Sequence, residues 1–501
     1  MIAMNHERSP VDSPPAAALA LAMGALATSA LACSLIIEQR DVQCTSDADC
    51  AQFDGAICNR ADSTCVPSSS GSAGGEGGDP PGGCAAADKP TVEITGDITE
   101  DFTLRCDKKY ILKGQVNVSA GATLTIEKGT TVVGETNPQV PATLVVHPGS
   151  KLIAVGTRDE PIVFTSSKAP EDRMAGDWGG VILLGNAPTN HVDANGARTP
   201  GQIEGLTNNG RYGGIDENDS SGTLKYVRIE YSGVKLAPNN EINGLTLGGV
   251  GRGTIIDFVQ VRHVSDDCFE FFGGTVNAKH LACQYSGDDA FDWDQGYRGK
   301  LQFLVAQLDP SVAEETNGFE GDNDPLALTP ALEPRSEPTI YNATLCGKGV
   351  DVDKEQYGIL LRRSTKANIA NTIVTGFESG LDVRDPDPEQ NISSSIFFNL
   401  VNDLAYAETS DGTGILQDDD GGFDEIAFLR EPDRKNREED PGIQGCFDPS
   451  APVFGPATPL TKDAVVPPDG FFDTSAAFIG AFKDASDTWA TSGKWAVWSP
   501  N

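Results

Sequence analysis

The chain has 501 residues, and its 37 Lys and Arg against 73 Asp and Glu leave a net charge of −36. That surplus repels phosphate backbones and anionic headgroups, which argues against nucleic acid or a bare membrane surface as a partner and leaves divalent cations as natural counter-ions. With 55 Gly, 31 Pro and 4 Met, the composition is that of a turn-rich all-β protein rather than a helical one.

Residues 1–32 read as a signal peptide. The run from Ala16 to Ala32 is too short and Ala-rich for a membrane span and sits where a secretion signal carries its apolar region. It ends in Ala30-Leu31-Ala32-Cys33, which resembles the bacterial lipobox, with Ala30 in place of its usual Leu. The resemblance implies a diacylated Cys33, a lipid anchor as the sole membrane contact, and an outer-membrane or cell-surface address. An ordinary cleaved signal with a periplasmic or secreted destination is the alternative. Cysteine parity agrees with the anchor, since eleven Cys less Cys33 leaves ten, enough for five disulfides in an oxidising compartment.

In segment 33–65, Cys44, Cys50, Cys58 and Cys65 crowd together without a core of their own. Two local bridges stapling a mini-module are expected; zinc is the alternative, without the C-x-x-C spacing it favours. Residues 66–83, VPSSSGSAGGEGGDPPGG, cannot bury anything and read as a flexible tether. Further bridges are expected between Cys84 and Cys106, Cys268 and Cys283, and Cys346 and Cys446.

From 84 to 440 the pattern is β. Ala122-Thr-Leu-Thr-Ile-Glu-Lys-Gly129 returns at Ala142-Thr-Leu-Val-Val-His-Pro-Gly149. In both, Leu124 and Ile126, or Leu144 and Val146, alternate with neighbours expected to face water. Further on, a small, an apolar and usually a polar residue recur as Gly244-Leu-Thr246, Cys268-Phe-Glu270, Ala290-Phe-Asp292, Gly318-Phe-Glu320, Gly358-Ile-Leu360 and Gly380-Leu-Asp382. A period of about 20 to 25 residues in β-rich strings is the mark of a solenoid, one coil per repeat. The 40-residue step from Gly318 to Gly358 suggests a loop over 322–338 and a further turn. About fifteen coils at roughly 4.8 Å would give a rod of about 70 Å. The acidic, irregular stretch 408–440 lacks the repeat and reads as loops or a peripheral extension. Segment 441–501, with Trp489, Trp495 and Trp498, reads as an aromatic cap closing the last coil.

Gly176-Asp-Trp-Gly-Gly180, Ile203-Glu-Gly-Leu-Thr-Asn-Asn-Gly-Arg-Tyr-Gly-Gly214, Leu224-Lys-Tyr-Val-Arg-Ile-Glu-Tyr-Ser-Gly233, Phe269-Glu-Phe-Phe-Gly-Gly274 and Asp292-Trp-Asp-Gln-Gly-Tyr-Arg298 resemble a family of secreted proteins and lipoproteins from Bacteroidetes and myxobacteria. The resemblance, from about residue 90 to the C-terminus, implies a right-handed parallel β-helix of the pectin-lyase-like type. It implies no particular activity.

If Phe269, Phe291 and Phe319 fill the interior, then Glu270, Asp292 and Glu320 project from one outer face as a ladder. Carboxylates about 4.8 Å apart repel by a few kcal/mol per pair at an effective dielectric near 20, so something must relieve them. Protonation, cations such as Arg298 and Lys300, or Ca²⁺ held by Asp266, Asp267, Glu270, Asp288, Asp289, Asp292, Asp294 and Glu320 would each serve. Capping of turn N–H groups is the purely structural alternative for these acids. The resulting expectation is a surface scaffold, calcium-stabilised, binding a glycan or another surface protein.

The alternative class is a polysaccharide-active enzyme. Asp266-Asp267-Cys268 resembles the paired-Asp motif of polygalacturonase-type hydrolases, but their Asn-Thr-Asp-Gly phrase is replaced by Glu241-Ile-Asn243-Gly244. A calcium-dependent lyase would use Arg298 or Arg362 as its base. His263 and His280 read as satisfied strand residues, not as metal ligands.

Overall fold

A computed structural model describes residues 89–500 apart from 138, 194, 207–208, 238–239, 313–314, 325–330, 351–355, 385–388 and 406–422, together with Cys84 and two N-terminal strands. The chain divides into compact units of residues 1–78 and 79–501. In the first, Ala56–Asn59 and Thr64–Pro67 form an antiparallel hairpin that sets Cys58 opposite Cys65. The strand Thr64–Pro67 takes in the first two residues assigned to the tether; the lipid at Cys33, the side chains that would form the bridges of Cys44, Cys50, Cys58 and Cys65, the leader and the tether beyond Pro67 lie outside the described residues.

The second unit is a parallel β-helix whose coils share one 25-stranded sheet. Val181, Leu245, Phe269, Phe291, Phe319, Ile359 and Leu381 occupy a single column in register, and all are fully buried. The recurrent signature is thus one strand position repeated coil after coil. Its small first residue has a steric cause: a Cβ on Gly244 would sit 2.3 Å from Val261 Cγ1, and one on Gly358 2.0 Å from Val374 Cγ1. At Cys268 the crowding becomes a covalent tie, because its disulfide partner Cys283 stands in the same column as Val261. Cys84–Cys106 and Cys346–Cys446 are the other bridges among the described residues.

Ten pairings link eleven strands from Thr91–Ile98 to Asn402–Ala405. A second face carries one rung more, eleven pairings linking twelve strands as far as Arg437–Glu438, so twelve rungs among the described residues, not fifteen, make a stack of about 50 Å. The expected count is too high because single coils carry long excursions: Val181 to Leu245 is one coil of 245 − 181 = 64 residues. Phe319 pairs directly with Ile359, so the 40-residue step is also one enlarged coil, without a further turn. These excursions change the surface too. Leu124, Ile126, Leu144 and Val146 point inward and are buried, but Val145 is buried as well, under Ile203, Leu206 and Tyr212 of the 185–219 excursion.

Four successive coils turn a corner at a residue in the left-handed region, with φ of 51°, 54°, 51° and 60° at Tyr226, Phe258, His280 and Phe303. That conformation costs about 1–2 kcal/mol per non-glycine residue. Ring stacking offsets it, with centroids 4.6, 4.1 and 4.9 Å apart along the column. His280 belongs to this stack and bonds Asp257 at 2.7 Å.

The aromatic tail does not plug the last coil. It runs back along the flank, its backbone gripped by coil side chains: Asn371 bonds Val465, Asn342 donates to Phe478 O, and Gln302 accepts from Asp473 N–H. Gln260 both donates to and accepts from Val497, and Arg228 donates to Lys494 O. Trp495 is fully buried, edge-on to Tyr226 and Phe258 of middle coils. What covers the last coil is a short helix, α1 (Glu425–Leu429), capped by the Asp424 carboxylate. Its Phe428 and Leu429 join Leu404 and Ala405 in the solenoid core.

Trp495→Ala is expected to lower the free energy of unfolding by about 3–5 kcal/mol, read by thermal or denaturant unfolding. The strap also carries a pH dependence. Burial first, and then the charge of Arg262, hold His263 at about 4 instead of 6.5. The unfolded chain therefore binds this proton more tightly, and stability present above pH 6.5 is lost as pH falls towards 4, by up to about 3 kcal/mol. The stability difference between wild type and His263→Asn should shrink over that window; an unchanged difference contradicts the assignment.

Candidate functional site: a roofed acidic groove

One residue beyond the buried column, Thr246, Glu270, Asp292 and Glu320 stand in register on successive strands. The ladder exists, but it is not on an open face. Glu270 and Glu320 are 6% and 9% exposed, because the excursions fold over them. The first brings Glu204 and Tyr212 above Glu270, and the second carries Asp322 and Asp324. The two excursions are tied together by the Asn190 Nδ2 bond to Asn323 O at 2.6 Å. A hairpin of Val234–Ala237 and Asn240–Ile242 adds Lys235 and Glu241.

Three residues before each acid runs a second ladder. Asp267 N–H donates to Asn243 Oδ1, Asp289 N–H to Asp267 Oδ1, Asn317 N–H to Asp289 Oδ1 and Tyr357 N–H to Asn317 Oδ1, at 3.2, 2.8, 2.7 and 3.0 Å. One side-chain oxygen per coil thus satisfies the turn N–H of the next coil. At the outer rungs the residue is Asn, and its amide also donates to the ladder acids, Asn243 to Glu270 and Asn317 to Glu320. At the two inner rungs it is Asp, a second acid in place of an amide. Asp267 therefore faces Glu270, and Asp289 faces Asp292, as pairs of acids that cannot both carry full charge.

Carboxylate oxygens of Asp266, Asp267 and Asp288 lie within 4.8 Å of one another, as do those of Asp267, Glu270 and Asp292. Burial first, and then neighbouring carboxylates, push Asp266 up to about 8. The same causes hold Asp267, Glu270, Asp289 and Asp292 well above the carboxylate range. Asp294 rises to about 8, chiefly by burial and then Asp322.

The cations expected to offset them are elsewhere: Arg298 is exposed and pairs with Glu217 at 3.6 Å, and Lys300 lies over the Phe472 ring. Arg362 takes their place at one end, bonding Glu320 and Asp322, with Arg363 also on Asp322. At the other end Lys235 lies 3.7 Å from Asp266 and 4.0 Å from Asp288. In the same column, Asp292 Oδ1 and Thr246 Oγ1 are buried without a hydrogen-bond partner.

The structure thus brings together Asp266, Asp267, Glu270, Asp288 and Asp292, sets Asp289 in the turn ladder beside them, and leaves Glu320 and Asp294 toward the arginine end. Arg298 does not belong to the group. Sequence reasoning missed Glu204, Tyr212, Lys235, Glu241 and Arg363. Glu204 and Tyr212 do lie within one of the phrases that carried the family resemblance, 203–214, which was the available signal.

Without divalent ions, Asp267→Asn keeps the bond to Asp289 N–H and removes one member of a buried set of acids that cannot all ionise, so it should raise the free energy of unfolding by about 1–2 kcal/mol. Asp267→Ala loses that bond and should not; equal effects of the two substitutions would show that charge is not the strained element.

The family model described as pectate-lyase like beta helix domain matches residues 96–413, the segment that contains both ladders and both excursions. No curated protein and no solved structure matches the chain. With 318 of 501 residues matched (413 − 96 + 1) and parallel coils stacked in register, the chain belongs to the pectate-lyase-like beta helix domain family.

Proposed function

We propose that the roofed groove is a calcium site on a binding scaffold, through which the protein engages a glycan or another surface protein. The observation that carries this reading is the change from Asn to Asp at the two inner rungs. An amide makes the same turn bond at the flanking coils, so fold alone does not ask for charge there. Placing acid at those rungs opposes further carboxylates, and burial raises the cost. A divalent ion converts that cost into coordination.

The donors are all oxygens, from Asp266, Asp267, Glu270, Asp288 and Asp292 with Thr246 Oγ1 beside them, which suits calcium, a hard cation taking six to eight oxygens in flexible geometry. Bound there, the ion would supply positive charge to a ligand's carboxylate or hydroxyl oxygens. On this reading the chain is exported and anchored through Cys33, with residues 66–83 holding the β-helix away from the membrane.

The polysaccharide-active alternative has less to draw on. Elimination needs a base, and Arg362 is held as a cation by Glu320 and Asp322. The paired-Asp hydrolase arrangement would have to use Asp267, one of whose oxygens already accepts the Asp289 N–H.

Calcium should raise the melting temperature, and 100-fold excess over Kd corresponds to about 2.7 kcal/mol. The pH dependence is distinctive. Asp266, raised from 3.8 to about 8, binds its proton more tightly folded than unfolded, so in chelator stability should fall as pH rises from about 6.5, where the opposite contribution of His263 is complete, to about 8. Millimolar calcium should abolish that fall. Identical melting curves with calcium and with chelator at pH 8 would sink the reading. A glycan array run beside an assay for unsaturated products separates the classes: binding without turnover is expected, and turnover would replace a scaffold with an enzyme.

A further inference from the structure

We infer that Lys235 is a tethered counter-ion that competes with the divalent cation for the Asp266–Asp288 end of the groove, so that the hairpin carrying it sets the concentration at which the site fills. The inference rests on the calcium reading above. Lys235 Nζ lies 3.7 Å from Asp266 Oδ1 and 4.0 Å from Asp288 Oδ2, two of the three carboxylates whose oxygens converge within 4.8 Å. An ammonium in that position takes the electrostatic place of an incoming ion.

Its side chain is 37% exposed, so it can withdraw without disturbing the core. It also has a second acceptor. Across the hairpin its partner in register is Glu241, and directly opposed residues hold their Cβ atoms about 5 Å apart. Glu241 in turn adds to the negative field at both Glu204 and Asp266.

Lys235 serves one end of the cluster and leaves the other wanting. Asp292 Oδ1 and Thr246 Oγ1, the latter on a residue only 2% exposed, have no hydrogen-bond partner, and both stand in register with Glu270. These two oxygens are the independent sign of a ligand inside the groove. The ammonium reaches Asp266 and Asp288, whereas an ion held by the triad of Asp267, Glu270 and Asp292 needs oxygens from two successive coils. Asp267 belongs to both convergent groups, so an ion bound through it displaces the ammonium toward Glu241 and gives the unpartnered oxygens a ligand.

Lys235→Met keeps the length of the side chain and removes its charge. Titration calorimetry of Ca²⁺ into chelator-stripped proteins should show binding about five- to tenfold tighter in Lys235→Met than in wild type. Its melting temperature without calcium should fall, because one offsetting charge is lost, whereas at saturating calcium it should match wild type. Lys235→Arg should stay at or below wild-type affinity. Equal or weaker calcium binding by Lys235→Met overturns the role of Lys235 and leaves the calcium reading standing; no calcium uptake by either protein overturns both.

Discussion

Backbone hydrogen bonds between successive coils hold equivalent residues about 4.8 Å apart, and that spacing is imposed on whatever side chains occupy a column. Inside, it is favourable. Phe269 and Phe291 stack with ring centroids 5.3 Å apart, and the small residue before each leaves room for the opposite wall. Outside, the same spacing forces Glu270, Asp292 and Glu320 into a file that no rotamer choice can disperse. One repeat therefore generates both the best-packed and the most strained columns in the molecule.

The two excursions turn strain into a site. A carboxylate ladder in open water would be screened and cheap. Beneath Glu204, Tyr212 and the Lys235 hairpin it is desolvated, so each charge matters. The groove is also asymmetric: Arg362 and Arg363 quench the end at Glu320 and Asp322, while the end at Asp266 and Asp288 has a half-exposed lysine on a hairpin. Guanidinium groups stand at one end of the ladder and a single ammonium at the other.

The strand signature was legible because it follows from coil geometry alone. Small, apolar and polar residues recur where the opposite wall, the core and the outer face require them, and the in-register column of Leu245, Phe269, Phe291, Phe319, Ile359 and Leu381 is the outcome. Coil number was not legible, since a 64-residue coil and a 22-residue coil look like different numbers of turns when only spacing is read. The roof was hidden for the same reason: Glu204 and Glu241 are brought to Asp266 by loops whose path no periodicity encodes. The tail's aromatic content suggested an end cap, but the end is closed by Phe428 and Leu429. Nothing in the tail's own residues says that Gln260, Asn342 and Asn371 are waiting along the flank.

Solenoids lengthen and shorten by gaining or losing whole repeats, since each coil needs only its neighbours. The flank strap removes that freedom here. Its contacts with Asn371, Asn342, Gln302, Gln260 and Arg228 belong to different coils, and each is made by a set position of one continuous segment. One duplicated coil in the middle would move every later partner by about 4.8 Å and break the match between strap and flank. The strap therefore works as a molecular ruler, whose set positions match the number of rungs it lies against.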